Sequence, residues 1–315
     1  DNDYLMGQDV DYYNYPNGYN GEPEPNTKVI DEMKAWGQWI TKEIGFDGFR
    51  IDAVKHVDSN FIYQWINYTQ ENTAKDLFFV GEAWIEDKSY LKDYVNSVDN
   101  KASNFNQTEK SDLEVFDFPL RAEFKALRDG NGSYDMSNLA NQGLINDVTS
   151  GHRAVGFIDN HDTSGSNANK YGKSRIDKYN YQAYAYILTR KDIVPTVFWK
   201  DYYQHDMKAG LDRLIKARKY FAYGPEHEGS SDSDVYSYVR EGLDAVAGTG
   251  LVLMLSDGTS GEIATRTVNS GQANTTYIDL TGNIAGEVTT DSNGDGQFKV
   301  EKSEANGWSV WVPLN

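Results

Sequence analysis

Between residues 29 and 220, short apolar runs alternate with stretches of helical periodicity, and this rhythm limits the chain to few architectures. Val29, Ile30, Met33, Trp36, Ile40 and Ile44 recur at helical spacing, and a short strand over 46–52 follows Gly45. The pattern then repeats. Helices are predicted over 61–71, 90–98, 120–127, 179–188 and 211–220, with a short one starting at 136–139. Strands are predicted over 77–80, 113–116, 154–158 and 194–199. Alternation of this kind implies parallel βα units. Five parallel strands could form an open sheet or part of an eight-stranded barrel, whose sites gather at the strand C-termini. Polar residues follow the strands at Asp52, Glu82, Asp117 and Asp159–Asp162, which favours the barrel.

After about residue 230 the helical pattern stops. Runs at 235–241, 250–255, 261–267, 275–280, 286–290, 297–300 and 309–312 are separated by Gly, Asn and Ser turns, as in an antiparallel sandwich. The chain therefore divides into an irregular, Pro- and Gly-rich segment at 1–27, βα units at 28–229 and an all-β domain at 230–315. DSNGDG at 291–296 resembles half of a calcium loop, but Lys302 stands where the closing Glu would be, so a solvated turn is expected.

Charge narrows the partners. With 30 basic and 48 acidic residues, the net charge of −18 disfavours nucleic acid and anionic membranes and suits a neutral substrate. There is no cysteine, which excludes thiolate catalysis, disulfides and Cys-ligated metals. No stretch approaches the ~20 apolar residues of a membrane helix.

Three acids at strand ends carry the chemistry. Asp52 and Glu82 lie one βα repeat apart, which puts them on neighbouring strand tops, and Asp162 follows a later strand. Glycosidic cleavage needs one protonated carboxyl at the leaving oxygen and one carboxylate at the anomeric carbon. Arg50, two residues before Asp52, faces the same side of its strand and favours ionised Asp52. Glu82 is then the proton donor, and Trp84 offers an apolar face for a sugar ring. His56 and His161, two of five histidines, fall beside candidate acids and can donate to sugar hydroxyls.

These residues sit in GFDGFRIDAVKH (45–56), FFVGEAW (78–84) and VGFIDNHD (155–162), which together resemble the α-amylase family of glycoside hydrolases. The nearest likeness is to bacterial liquefying and maltooligosaccharide-forming enzymes, with weaker support from DYLMGQDVDY (3–12). The resemblance implies the C-terminal portion of a (β/α)8 barrel, strands 4 to 8, followed by an antiparallel β sandwich. It implies Asp52 as nucleophile, Glu82 as general acid/base, and Asp162 as the third carboxylate, binding sugar hydroxyls. Arg50, Lys55, His56, Trp84, Asn160 and His161 are the corresponding substrate-side contacts.

The resemblance also implies calcium, with Asp3, Asp9 and the His56 carbonyl as ligands. Asp11 matches a ligand of a second metal cluster, although Tyr13 stands where the next acid is expected. In the last barrel strand, Trp199-Lys200 replaces the family's usual Tyr-Gly, with consequences for the nearby subsite. The implied activity is retaining endo-hydrolysis of α-1,4 bonds in starch and maltooligosaccharides by a secreted, extracellular enzyme. Alternatives are an α-glucan transglycosylase using the same residues, or a starch-binding remnant without catalysis. Five strands do not close an eight-stranded barrel, so an N-terminal part is expected, either as a companion fragment or as a part lost from this chain.

Overall fold

The computed structural model describes residues 29–105, 111–147, 153–164 and 174–314. Asp3, Asp9, Asp11 and the 13–27 segment lie outside the described residues. Contacts divide the chain into two compact units, Asp1–Trp84 with Ser89–Val115, and Ile85–Lys88 with Phe116–Asn315. Among the described residues, no helix is long and apolar enough to cross a membrane.

In the first unit, α1 (Val29–Trp39) runs into a single π-helical turn, Ile40–Ile44, which Gly45 closes in the left-handed region at φ 92°. The strand β1 (Gly48–Ile51) then pairs in parallel with β2 (Phe78–Gly81), in register from Gly48↔Phe78 to Ile51↔Gly81. Gly48 is required there: a Cβ would lie 2.3 Å from the Phe78 carbonyl oxygen. β2 pairs in parallel with β3 (Leu113–Phe116). Between the strands come α2 (Ser59–Glu71) and α3 (Lys88–Asp99). Asp58 starts α2 by accepting from the Asn60 and Phe61 amides at 2.9 and 3.1 Å. The core is aromatic. Phe49 meets Trp65 edge-on at 5.1 Å and stacks on Phe79 at 5.7 Å, while Trp65 Nε1 donates to the Met33 carbonyl.

The second unit holds α4 (Phe118–Gly130), β4 (Ala154–Gly156), α5 (Asn180–Thr189), β5 (Ile193–Pro195), α6 (Trp199–Tyr203) and α7 (Lys208–Tyr220). β4 and β5 pair in parallel. Eight antiparallel strands follow: β6 (Glu226–Glu228), β7 (Val235–Arg240), β8 (Leu251–Ser256), β9 (Ile263–Asn269), β10 (Thr276–Asp279), β11 (Glu287–Thr289), β12 (Asp295–Glu301) and β13 (Trp308–Pro313). Six form a sheet in the order β11-β10-β13-β8-β7-β6, and β12 pairs with β9. Val239, Val252, Tyr277, Phe298 and Trp311 belong to the buried cluster of these strands. The expected pattern of parallel βα units followed by an antiparallel sandwich is therefore present.

Helix α5 is tied into the sandwich. The buried Gln182 donates to the carbonyls of Ser256, Ser303 and Glu304. Arg190 lies between the rings of Tyr186 and Tyr238, 4.6 and 4.5 Å from their centroids.

Several boundaries differ from the sequence reading, and three of the differences have a visible cause. The strand expected over 194–199 ends at Pro195, and Trp199 opens α6 instead, because the Phe198 amide bonds the Tyr184 hydroxyl at 3.2 Å and leaves the ladder. β4 stops at Gly156, not residue 158, since the Ile158 carbonyl accepts from Arg121 Nε. β6, within the span assigned to βα units, pairs with β7 and starts the six-stranded sheet. The 291–296 turn is as expected: Asp291 accepts from the Asn293 and Asp295 amides and leads into β12.

Candidate active site

The register of β1 and β2 brings the first two acids together. Ile51 is level with Gly81, so Asp52 and Glu82 leave adjacent strands at the same height. Glu82 N–H donates to the Ile51 carbonyl at 2.8 Å, and Val54 N–H donates to the Glu82 carbonyl at 3.1 Å. Arg50 joins the side chains: Nη1 is 2.6 Å from Asp52 Oδ1, and Nη2 is 3.3 Å from Glu82 Oε1. Arg50 was expected beside Asp52; it reaches Glu82 as well.

Their surroundings differ sharply. The Asp52 side chain is 72% exposed, that of Glu82 only 10%. Burial pushes the Glu82 carboxyl above the usual glutamate range, and the neighbouring Asp52 adds to this; the Ala53 N–H and Arg50 oppose it. Asp52 keeps a charge-assisted contact to a guanidinium. Burial thus biases Glu82 towards holding its proton, while Asp52 is exposed and in contact with the Arg50 guanidinium. Ala53, which donates to Glu82 Oε2 at 3.2 Å, sits in the left-handed region at φ 46°. For a residue with a Cβ this costs of order 1 kcal/mol.

The flanking contacts are less free than the sequence suggested. Lys55 Nζ donates to the Trp84 carbonyl at 2.8 Å, linking the two segments that carry the acids. His56 ends the 3-10 turn Val54–His56 and is exposed, and Trp84 is half-buried.

Asn160, His161 and Asp162 form a group in the second unit, beyond β4. Asn160 Oδ1 accepts from the Asp162 and Thr163 amides at 2.9 and 3.0 Å, so this side chain shapes the turn. His161 Nε2 lies 3.3 Å from Asp162 Oδ2, and both side chains are exposed. Beneath them, Thr163 donates to the buried Asp159 at 2.8 Å and accepts from Asn160 N–H at 2.9 Å. Arg121 Nη2 pairs with Asp159 at 3.0 Å, their side chains 2% and 0% exposed. Sequence reasoning missed Arg121 and Thr163. The available signal was Arg121 on the same helical face as Phe124 and Arg128, where a cation needs a buried partner. Asp117, flagged as a strand-end acid, instead caps local structure by accepting from the Leu120, Leu144 and Ile145 amides.

Among the described residues, no group of three or more His, Cys, Asp or Glu side chains could hold a metal ion.

Residues 23–199 match the family model for the alpha amylase catalytic domain, and residues 251–312 match that for the alpha-amylase C-terminal region. The chain belongs to the α-amylase family. Its sequence is 37% identical to an alpha-amylase of Bacillus licheniformis, over 98% of this chain and 56% of that protein. It is 33% identical to a glucan 1,4-alpha-maltohexaosidase of Bacillus sp. (strain 707), over 98% and 55%. This α-amylase family chain thus spans about half the length of the curated relatives it matches. A solved Anoxybacillus alpha-amylase shares the fold with a TM-score of 0.67 at 16% identity, covering 98% of this chain and 70% of that one.

Proposed function

We propose that the protein hydrolyses α-1,4-glucosidic bonds within starch and maltooligosaccharides, with retention at the anomeric carbon. The observation that carries this is one guanidinium bridging an exposed carboxylate, Asp52, and a buried carboxyl with a raised pKa, Glu82. A shared guanidinium keeps the two groups close, which suits direct attack by one of them rather than a water held between them.

Glu82 gives its proton to the glycosidic oxygen as Asp52 attacks C1. The C1–O bond breaks, the leaving chain departs as an alcohol, and a glycosyl ester forms on Asp52. Glu82, now ionised, takes a proton from water; the resulting hydroxide equivalent attacks C1, and Asp52 is released. Asp162 is assigned to hydroxyls of the sugar being cleaved, with His161 beside it. Lys55 and His56 are assigned to the leaving side, and Trp84 to a neighbouring ring.

Calcium is proposed as a structural cation. Of its implied ligands, His56 is among the described residues. A chelator should lower the melting temperature, and calcium should restore it. Extracellular location is proposed from the likeness to liquefying enzymes; detection in culture medium rather than cell lysate tests it.

The test of the function is release of reducing sugar from soluble starch by the purified full-length protein, with product anomers read by NMR before mutarotation. The α-anomer is expected, and Glu82→Gln should reduce kcat by at least about 10³-fold, the loss of general acid and base together. An initial β-anomer, or a Glu82→Gln variant with normal turnover, would refute the mechanism. No reducing sugar together with retained starch binding would favour a non-catalytic binding protein. Incorporation of an excess labelled glucose acceptor into oligosaccharide products from starch would favour transfer.

A further inference from the structure

Just past β5, the five residues of α6 put two aromatic rings in solvent: Trp199 is 52% exposed and Tyr203 74%. A spacing of four residues sets them on one helical face. Scattered exposed aromatics are ordinary on protein surfaces. This pair differs in what lies under it. Asp201, between the two, is buried, and it accepts from the Tyr184 hydroxyl at 2.6 Å. Asp201 Oδ1 also meets His205 Nδ1 at 2.8 Å and Arg175 Nη2 at 3.5 Å. The Tyr184 hydroxyl accepts in turn from the Phe198 amide. A helix this short does not persist by itself, so the buried contacts fix it and hold the rings in place.

The rings also start from the right part of the sheet. Gly156 of β4 is level with Pro195 of β5, and Thr196 N–H donates to the Gly156 carbonyl at 2.8 Å. The segments leading to Asn160–Asp162 and to Trp199 therefore leave the same edge side by side. They are joined again through residues 174–176: Ile176 N–H donates to Asp159 Oδ2 at 3.0 Å, while Arg175 reaches Asp201. One polar scaffold sets the heights of both segments.

We propose that Trp199, flanked by Lys200 and Tyr203, is a glucose-stacking platform that binds the α-glucan chain next to the Asn160–Asp162 loop and favours long chains over short ones. A glucose ring has a C–H face that fits a flat indole, and its hydroxyls project at the rim, where they need donors. Lys200 Nζ lies over the Trp199 ring, 5.8 Å from its centroid, and is a donor within reach of a sugar stacked on the ring's other face or edge. The ligand class rests on the proposed hydrolysis of α-glucans.

The experiment compares the full-length protein with Trp199→Ala, Trp199→Phe and Tyr220→Ala; Tyr220 is a similarly exposed aromatic at the end of α7. Maltoheptaose hydrolysis is followed, and tryptophan fluorescence is titrated with the same sugar. Trp199→Ala should raise KM roughly 5- to 30-fold with kcat within about threefold, as expected for lost uniform binding at a Trp anchor. Trp199→Phe should recover most of the affinity, and Tyr220→Ala should resemble the parent. An unchanged KM in a folded Trp199→Ala protein that hydrolyses starch would overturn the platform and leave the hydrolysis reading standing. If the parent releases no reducing sugar, the hydrolysis reading fails and the titration decides the platform. Saturable quenching absent from Trp199→Phe supports it; no quenching, or equal quenching, overturns it. Should Trp199→Ala fail to fold, the fluorescence titration of Trp199→Phe against the parent decides: saturable quenching lost in the variant supports the platform, and equal quenching overturns it.

Discussion

Replacing Arg121 with Met tests whether the Asn160–Asp162 turn stands on a buried ion pair. Arg121 and Asp159 are 3.0 Å apart with almost no solvent contact, so deleting the cation strands a carboxylate in the interior. Breaking a buried pair by removing one partner costs about 3–5 kcal/mol. For a unit of this size that corresponds to a fall in melting temperature of roughly 6–20 °C. Burial pushes the Asp159 carboxyl up, and the Arg121 charge, the Thr163 hydroxyl and the Ile176 N–H oppose this. Without Arg121 the upward shift grows. A group raised in the folded state supports stability below its unfolded pKa, and that support is lost as pH rises through the folded value. Arg121→Met should therefore be more destabilised at pH 7 than near pH 5. Calorimetry at the two pH values measures this, alongside the double variant Arg121→Met/Asp159→Asn, which removes the stranded charge. The double variant should regain much of the loss at pH 7. A single variant that melts with the parent, or a double variant no better than the single one, would refute the reasoning.

The same pair marks where sequence reading reached its limit. The βα rhythm was legible because strand and helix periods differ, and 113–116 was read to the residue. The Asp52–Glu82 pair was legible because each acid follows a strand one repeat apart, and parallel pairing then fixes their relative height. The partner of Asp159 was not, since it lies 38 residues earlier on a helix and no local pattern links them. Nor could the sequence tell that Arg50 also reaches Glu82, because this depends on side-chain conformation. Trp199 looked like strand because 194–199 is apolar and aromatic. The departure into α6 is dictated by Tyr184 and Asp201, tertiary partners that override local propensity. Strand-end chemistry is thus readable where one repeat determines it, and hidden where a second layer supports it.

Three further outcomes follow from individual contacts. Gly48→Ala should lower the melting temperature by an amount corresponding to about 2–3 kcal/mol or more, because its Cβ meets a backbone oxygen that cannot rotate away; calorimetry checks this, and a parent-like protein would mean the strands can separate cheaply. Arg190→Met should lose comparable stability, since the side chain lies between two rings and contacts Glu228 at 2.7 Å; an unchanged denaturant midpoint would refute the role. Arg50→Gln bears on the chemistry itself. The general acid must be protonated, so the basic limb of kcat/KM reports Glu82 in the free enzyme. Arg50 lowers the Glu82 pKa from 3.3 Å, while burial raises it. Removing the cation should move that limb upward. Arg50 is partly exposed, so solvent screening leaves only part of that interaction. The maximum rate should fall in the same variant, because Asp52 loses the guanidinium that favours its ionised form. A limb that stays fixed or moves to lower pH while the rate falls would mean that Glu82 does not set it, and that the proton comes from another group.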